Sequence, residues 1–223
     1  MTRATMAEIA GRVRPGDWVA DPAASTLTFA VRNFGGGTVT GRIPLTSAAV
    51  HVGPGGDPVS ARAELDARGI DTGHRRRDRH LRGRRFLAAD QWPAMTFETE
   101  DIRPDETAWT VNGTLTVKGT RCPVRLDVAS FTVPADDPTA YLDLHATGCL
   151  DRRSAGVTAA PGFVVGHQVT LSLTVRLRPP APAQDGAAQD GAAQDGAAQD
   201  GTAQDGTAQD GTAQDATARP KGR

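Results

Sequence analysis

One stretch limits the fold more than any other. From Trp109 to Lys118 the chain alternates without a break: Trp109, Val111, Gly113, Leu115 and Val117 fall on one side, and Thr110, Asn112, Thr114, Thr116 and Lys118 on the other. Apolar residues at a period of two make one apolar face on an extended strand, whereas a helix would scatter them around its axis. The same period recurs. Leu27, Phe29 and Val31 alternate with Thr26, Thr28 and Ala30, and Val59, Ala61, Ala63 and Leu65 alternate with Ser60, Arg62, Glu64 and Asp66. Met95 and Phe97 repeat it, as do Val124, Leu126 and Val128, then Leu142, Leu144 and Ala146, and finally Val169 through Leu177. With the short runs Thr38 to Ile43 and Ala48 to Val52, roughly eight strands result, joined by turns rich in Gly, Pro and Asp. That spacing signals an antiparallel sandwich or an up-and-down barrel. The triple glycine Gly35-Gly36-Gly37 reads as a hairpin turn, because neither Gly-Lys-Ser/Thr nor a helical pattern follows it as a phosphate loop requires.

The strands end at Leu177. Pro179-Pro180-Ala181-Pro182 stops any extension, and from Ala183 a five-residue Ala-Gln-Asp-Gly-Ala/Thr unit repeats in tandem. The repeat has no large apolar side chain to bury, so it cannot offset the entropy of ordering, and residues 180–223 are expected to be a disordered spacer. Its seven Asp against Arg219, Lys221 and Arg223 place −4 of the chain's net −1 charge in the tail, leaving about +3 on the body. That is too little for a nucleic-acid binder on charge alone. At the other end, residues 1–14 form a weakly helical leader stopped by Pro15-Gly16, without the apolar run of a secretory signal. No window reaches the length of a membrane span, so a cytoplasmic protein with one domain at 15–179 is expected. Cys122 and Cys149 are expected to be buried, small apolar residues rather than a disulfide or a metal pair.

Charge concentrates in one place. Between His74 and Arg85 stand seven Arg and two His against a single acid, Asp78. Within the strand region, a helix is expected only here, around His74 to Phe86. Asp71 or Thr72 would cap the helix, Asp78 would pair with Arg82 at i, i+4, and Leu81 and Phe86 would anchor it to the sheet. Functionally, its Arg forks suit an anionic lipid head group at a barrel mouth. Nucleic acid is the competing partner, but no aromatic is interleaved to stack on bases, so no nucleic-acid binding is expected. Catalysis has no motif to rest on: Gly-x-Ser-x-Gly, His-Glu-x-x-His and Cys-x-x-Cys are all missing. His74 and His80 stand six apart and do not share a helix face, while His51, His145 and His167 are isolated, so neither metal nor cofactor is expected.

An eight-stranded barrel is just wide enough to hold one slender ligand among its inward side chains. Small inward positions such as Ala61, Ala63 and Gly113 would leave room for it. Leu27, Phe29, Val31, Phe86, Phe97, Leu115 and Val117 are the candidate ligand-binding residues. By alternation alone they serve equally well as a filled core.

Taken in order, several motifs resemble the YceI-like family of polyisoprenoid-binding proteins, over Trp18 to Leu177. They are Trp18-Val19-Ala20-Asp21-Pro22 with Ser25 and Phe29, Val39-Thr40-Gly41-Arg42, and a central group of Ile70-Asp71-Thr72-Gly73, Arg77-Asp78, His80-Leu81 and Phe86. Trp92-Pro93-Ala94-Met95-Thr96-Phe97, Gly113 to Gly119, and Val164 to Leu171 complete the set. The resemblance implies a lipocalin-like, all-β, eight-stranded antiparallel barrel with one helical insert and an apolar tunnel. It implies non-catalytic binding or carriage of a prenyl quinone or polyprenyl chain, with a homodimer as an option. Asn33 stands where many members have His, and Gly83 replaces a usual Ser. Secreted members carry a signal peptide, which this sequence does not show, so the lipid's identity stays open. Two other readings remain beside this one: a structural or stress-response interaction protein with a filled barrel, and an anionic-ligand or nucleic-acid binder acting through the Arg-rich insert.

Overall fold

A computed structural model describes residues 13–33, 35–104, 109–132, 140–159 and 165–180. The expected helical leader, apart from its last residues, and the repeat tail lie outside these. The strands are β1 (Gly16–Ala20), β2 (Thr26–Asn33), β3 (Gly37–Ile43), β4 (Leu45–Val52), β5 (Pro58–Asp66), β6 (Ala94–Pro104), β7 (Trp109–Val117), β8 (Thr120–Thr132), β9 (Leu142–Asp151) and β10 (Val165–Arg178). One helix, α1 (Arg75–Arg82), falls between β5 and β6.

From β4 to β10 each strand pairs antiparallel with the next, and β1 pairs with both β4 and β10. The ring therefore closes as an eight-stranded antiparallel barrel. The hairpin of β2 and β3 continues the wall along β10, with Thr26 opposite Thr174 and Asn33 opposite Val165. β1 and β2 follow one another with a single turn between them, and β3 and β4 with a single residue. Both breaks have a covalent cause. Pro22 opens a three-residue 3-10 turn that Asp21 caps by accepting the Ala23 N–H, and Pro44, without an N–H of its own, stands between β3 and β4.

The closing seam is short, so side chains reinforce it. The Asp21 N–H donates to the Arg176 carbonyl at 2.8 Å, and Arg178 bonds the Asp21 carboxylate at 2.6 Å. Ser25 Oγ accepts the Arg176 N–H and donates to the Asp21 carbonyl. Arg176 in turn grips Asp143 with two bonds of 2.7 Å and lies 4.0 Å from the Tyr141 ring centre.

Inward faces follow the alternation read from the sequence. Trp109, Val111, Leu115 and Val117 of β7 are buried, as are Cys122, Val124 and Val128 of β8. β6 carries one irregularity between Thr99 and Asp101, and there Thr99 Oγ1 both accepts from and donates to the Ala61 backbone, standing in for the lost ladder bonds. Gly113 corrects an expectation. It leaves no open space, because a Cβ there would lie 2.4 Å from the Glu98 carbonyl and 2.7 Å from the Phe97 ring. Its missing side chain is what lets Phe97 lie across the barrel. Gly113→Val should therefore lower unfolding stability by about 1–3 kcal/mol through overpacking, read as a lower urea midpoint at unchanged slope. An unchanged midpoint would mean that the Phe97 ring relaxes at no cost.

Candidate functional site

Among the described residues, two apolar chambers lie inside the barrel. The larger, about 230 Å³, runs from the middle of the barrel to the insert, where Ile70, Leu81, Phe86 and Leu87 form part of its lining. The smaller, about 140 Å³, lies against Trp18, Trp109, Val111 and Leu177. Ala48, Ala63, Phe97, Leu126, Leu173 and Val175 line both, so they stand where the two chambers adjoin. Taken together the chambers fall within the usual range of small-ligand pockets, about 300–1,000 Å³. A cavity with walls this apolar holds water poorly and accepts an apolar guest.

All seven residues singled out from the sequence line the larger chamber: Leu27, Phe29, Val31, Phe86, Phe97, Leu115 and Val117. Alternation found the strand positions. It gave no reason to include Arg152, which also lines this chamber and is 6% exposed. Arg152 donates to the carbonyls of Val157, Val165 and Gly166, so a buried cation is solvated by backbone and ties both sides of the β9–β10 connection together. Burial pushes its guanidinium down from the usual arginine value.

The insert supplies wall where strands do not. β3 pairs with β2 on one edge, and on the other it meets Asp71: Arg42 N–H donates to the Asp71 carbonyl at 2.7 Å and Asp71 N–H to the Arg42 carbonyl at 3.0 Å. Their side chains add an ion pair of 2.8 Å. Asp78, only 5% exposed, accepts from both the N–H and the hydroxyl of Thr72. Arg77 donates to Thr72 Oγ1 at 2.7 Å and to the Thr72 carbonyl at 2.9 Å. Leu81 turns inward on the same helix face, while His80 is exposed. Gly41 completes the contact, since a Cβ there would strike both the Phe29 ring and Thr72 Cγ2.

Three local expectations change. The helix cap is His74, whose Nδ1 accepts the Arg77 N–H, because Asp71 is committed to Arg42 and Gly73 and Thr72 to Asp78 and Arg77. Asp78 does not pair with Arg82: its carboxylate faces Thr72, and Arg82 reaches the Ile70 carbonyl instead. Cys122 is buried, and its thiol, pushed up by burial, donates to the Leu115 carbonyl at 3.1 Å, but Cys149 is exposed. An odd count along β9 puts Cys149 outside while Leu150 points in. Among the described residues no cluster of three or more His, Cys, Asp and Glu could hold a metal ion, and no helix is long and apolar enough to cross a membrane.

Arginine neighbours hold several carboxylates below their ordinary value: Arg178 acts on Asp21, Arg42 on Asp71, and Arg153 on Asp151, which is lowered to about 2. Depressed carboxylates stabilise the fold fully above the unfolded value of 3.8 and lose that contribution as pH falls through the folded ones. Thermal unfolding should thus move to lower temperature as pH falls below about 4, and Asp21→Asn with Asp71→Asn should flatten that dependence. A slope that the double variant leaves unaltered would show that these pairs do not couple to folding.

The profile of the YceI-like domain matches residues 18–177, which is the barrel from β1 to the end of β10. A UPF0312 protein of Yersinia pestis is 34% identical over 113 residues, covering 50% of this chain and 58% of the relative. The match thus spans little more than half the length of that relative. Among solved structures, BcnA of Burkholderia cenocepacia superposes with a TM-score of 0.62 at 20% identity, over 70% of this chain and 98% of the other. A polyisoprenoid binding domain from Saccharophagus degradans, implicated in plant cell wall breakdown, gives 0.54 at 14% identity, over 75% and 100%. At such identities the likeness is one of fold. With the barrel, its insert and the sequence match all in agreement over the same residues, the chain belongs to the YceI-like family.

Proposed function

We propose that the barrel binds or carries an apolar isoprenoid-type lipid, a prenyl quinone or a polyprenyl chain, and does no chemistry on it. The observation that carries this reading is the pair of adjoining chambers, walled almost wholly by hydrocarbon, with the small Ala48 and Ala63 at their boundary, which we take as an open neck. A flexible unbranched or methyl-branched chain is the shape that threads such a space. Each methylene transferred from water contributes about 0.8 kcal/mol before ordering costs, so a long chain needs little polar recognition. Leu27, Phe29, Val31, Phe86, Phe97, Leu115 and Val117 are the residues assigned to contact it. The Saccharophagus degradans domain, named for polyisoprenoid binding, supports the reading through a common fold. An interaction protein with a filled barrel would need side chains where the chambers are.

Organic extraction of the purified protein followed by mass spectrometry, with titration of an added prenyl quinone, tests the proposal. A prenyl lipid should co-purify or the quinone should bind, and Ala63→Phe, which fills the neck, should weaken binding by tenfold or more. Its melting temperature should stay close to that of the parent, since Ala63 borders open volume. No extracted lipid together with no quinone binding would end the proposal.

A further inference from the structure

Charge pairing is uneven among the described residues: arginines such as Arg32, Arg62 and Arg121 stand singly on the barrel, while the insert gathers its own together. Across the barrel six arginines, Arg42, Arg103, Arg125, Arg153, Arg176 and Arg178, each lie within 4 Å of an Asp carboxylate. The insert behaves differently. Residues 67–93 carry eight Arg against Asp71, Asp78 and Asp90. Asp71 is taken by Arg42 and Asp78 by Thr72. No ion pair forms between any arginine of the insert and a carboxylate among the described residues.

The helix also sorts its residues by face. Asp78, Leu81 and the half-buried Arg77 turn toward the barrel, Arg75, Arg76, Arg79 and His80 are exposed on the far side, and Arg82, exposed at the flank, reaches back to the Ile70 carbonyl. Arg84 and Arg85 extend that surface, and Lys118 joins it from the β7–β8 turn by donating to the Arg84 carbonyl at 3.0 Å. On that same turn sits Trp92, 46% exposed, with its ring against Gly119, where a Cβ would come within 2.9 Å of it. Beneath this basic surface the inward residues Leu81, Phe86 and Leu87 line the larger chamber.

We propose that the outer face of the insert is a docking surface for an anionic lipid bilayer, which sets the chamber's helical wall against the membrane. Like charges left unpaired on one face repel each other in the free protein, and a field of lipid phosphates relieves that repulsion. Guanidinium forks match phosphate oxygens in pairs, and an exposed indole beside them suits the interfacial region, where one side of a ring is wet and the other apolar. A duplex offers phosphates as well, but it gives Trp92 and the apolar chamber behind the helix no counterpart. This inference goes beyond the ligand assignment and does not depend on it, because the probe vesicles contain no prenyl lipid.

The test is co-sedimentation of the full chain with vesicles of phosphatidylcholine, with and without phosphatidylglycerol, at low and high salt. The protein should pellet with the anionic vesicles at low salt, and remain in solution with pure phosphatidylcholine or at high salt. Combining Arg75→Gln, Arg76→Gln and Arg79→Gln should weaken that binding by about a hundredfold, with unaltered thermal unfolding because these side chains hold nothing in the fold. Tryptophan emission should shift to the blue on binding and the shift should vanish in Trp92→Phe, since Trp18 and Trp109 are 2% and 7% exposed and buried already. Failure to pellet with anionic vesicles at low salt would overturn the proposal. So would salt-sensitive binding of duplex DNA by a protein that leaves the vesicles in the pellet without it.

Discussion

The free edge of β3 sets the terms for the rest of the structure. An unpaired strand edge exposes a row of N–H and C=O groups, and a barrel wall with such an edge is open both to water and to other chains. Here Pro44 separates β3 from β4, and it is β4, not β3, that pairs with β5. Asp71 meets the exposed edge by exchanging two backbone bonds with Arg42 and adding an ion pair. The start of the insert is then held by one buried carboxylate. Asp78 fixes Thr72, Arg77 fixes Thr72 from the other side, and the helix is held with Leu81 facing in. Hydrogen bonds to a charged group of this kind contribute about 1.5–3 kcal/mol each, enough to hold a short helix that would not persist alone.

The insert thereby has two faces with different duties. Its inner face gives the larger chamber a wall of side chains rather than of strand, and its outer face gathers arginines that form no ion pair with a carboxylate among the described residues. Inside, the small Ala48 and Ala63 and the Phe97 ring stand at the boundary of the two chambers, and Gly113 gives up its own side chain to seat that ring.

How far the sequence spoke for itself depended on distance along the chain. Period-two alternation is local, so the inward strand residues were legible, and each of the seven candidate lining residues faces the larger chamber. Barrel closure was legible as a fold class but not as a pairing, because β1 is five residues long and its contact with β10 spans most of the chain. The helix was legible from its composition, but not its cap. Asp71 and Thr72 are the better capping residues by type, yet tertiary bonds to Arg42, Asp78 and Arg77 claim them first and leave the role to His74. Arg152 gave no signal at all, since a buried arginine solvated by carbonyls looks in sequence like any arginine after a strand. Cys149 follows the alternation of Leu142, Leu144, Ala146 and Leu150 to the outer face, so its exposure was legible from the count along β9, and the general tendency of cysteine to be buried gives way to it.

The central claim is that the two chambers are one binding space for an apolar chain, and a crystal structure grown with a saturating prenyl quinone tests it most directly. Continuous ligand density should run through the neck between Ala63 and Leu126, with its ends near Phe86 and Trp109. Ligand found only on the outer surface, or chambers that stay empty beside an excess of quinone, would contradict the account.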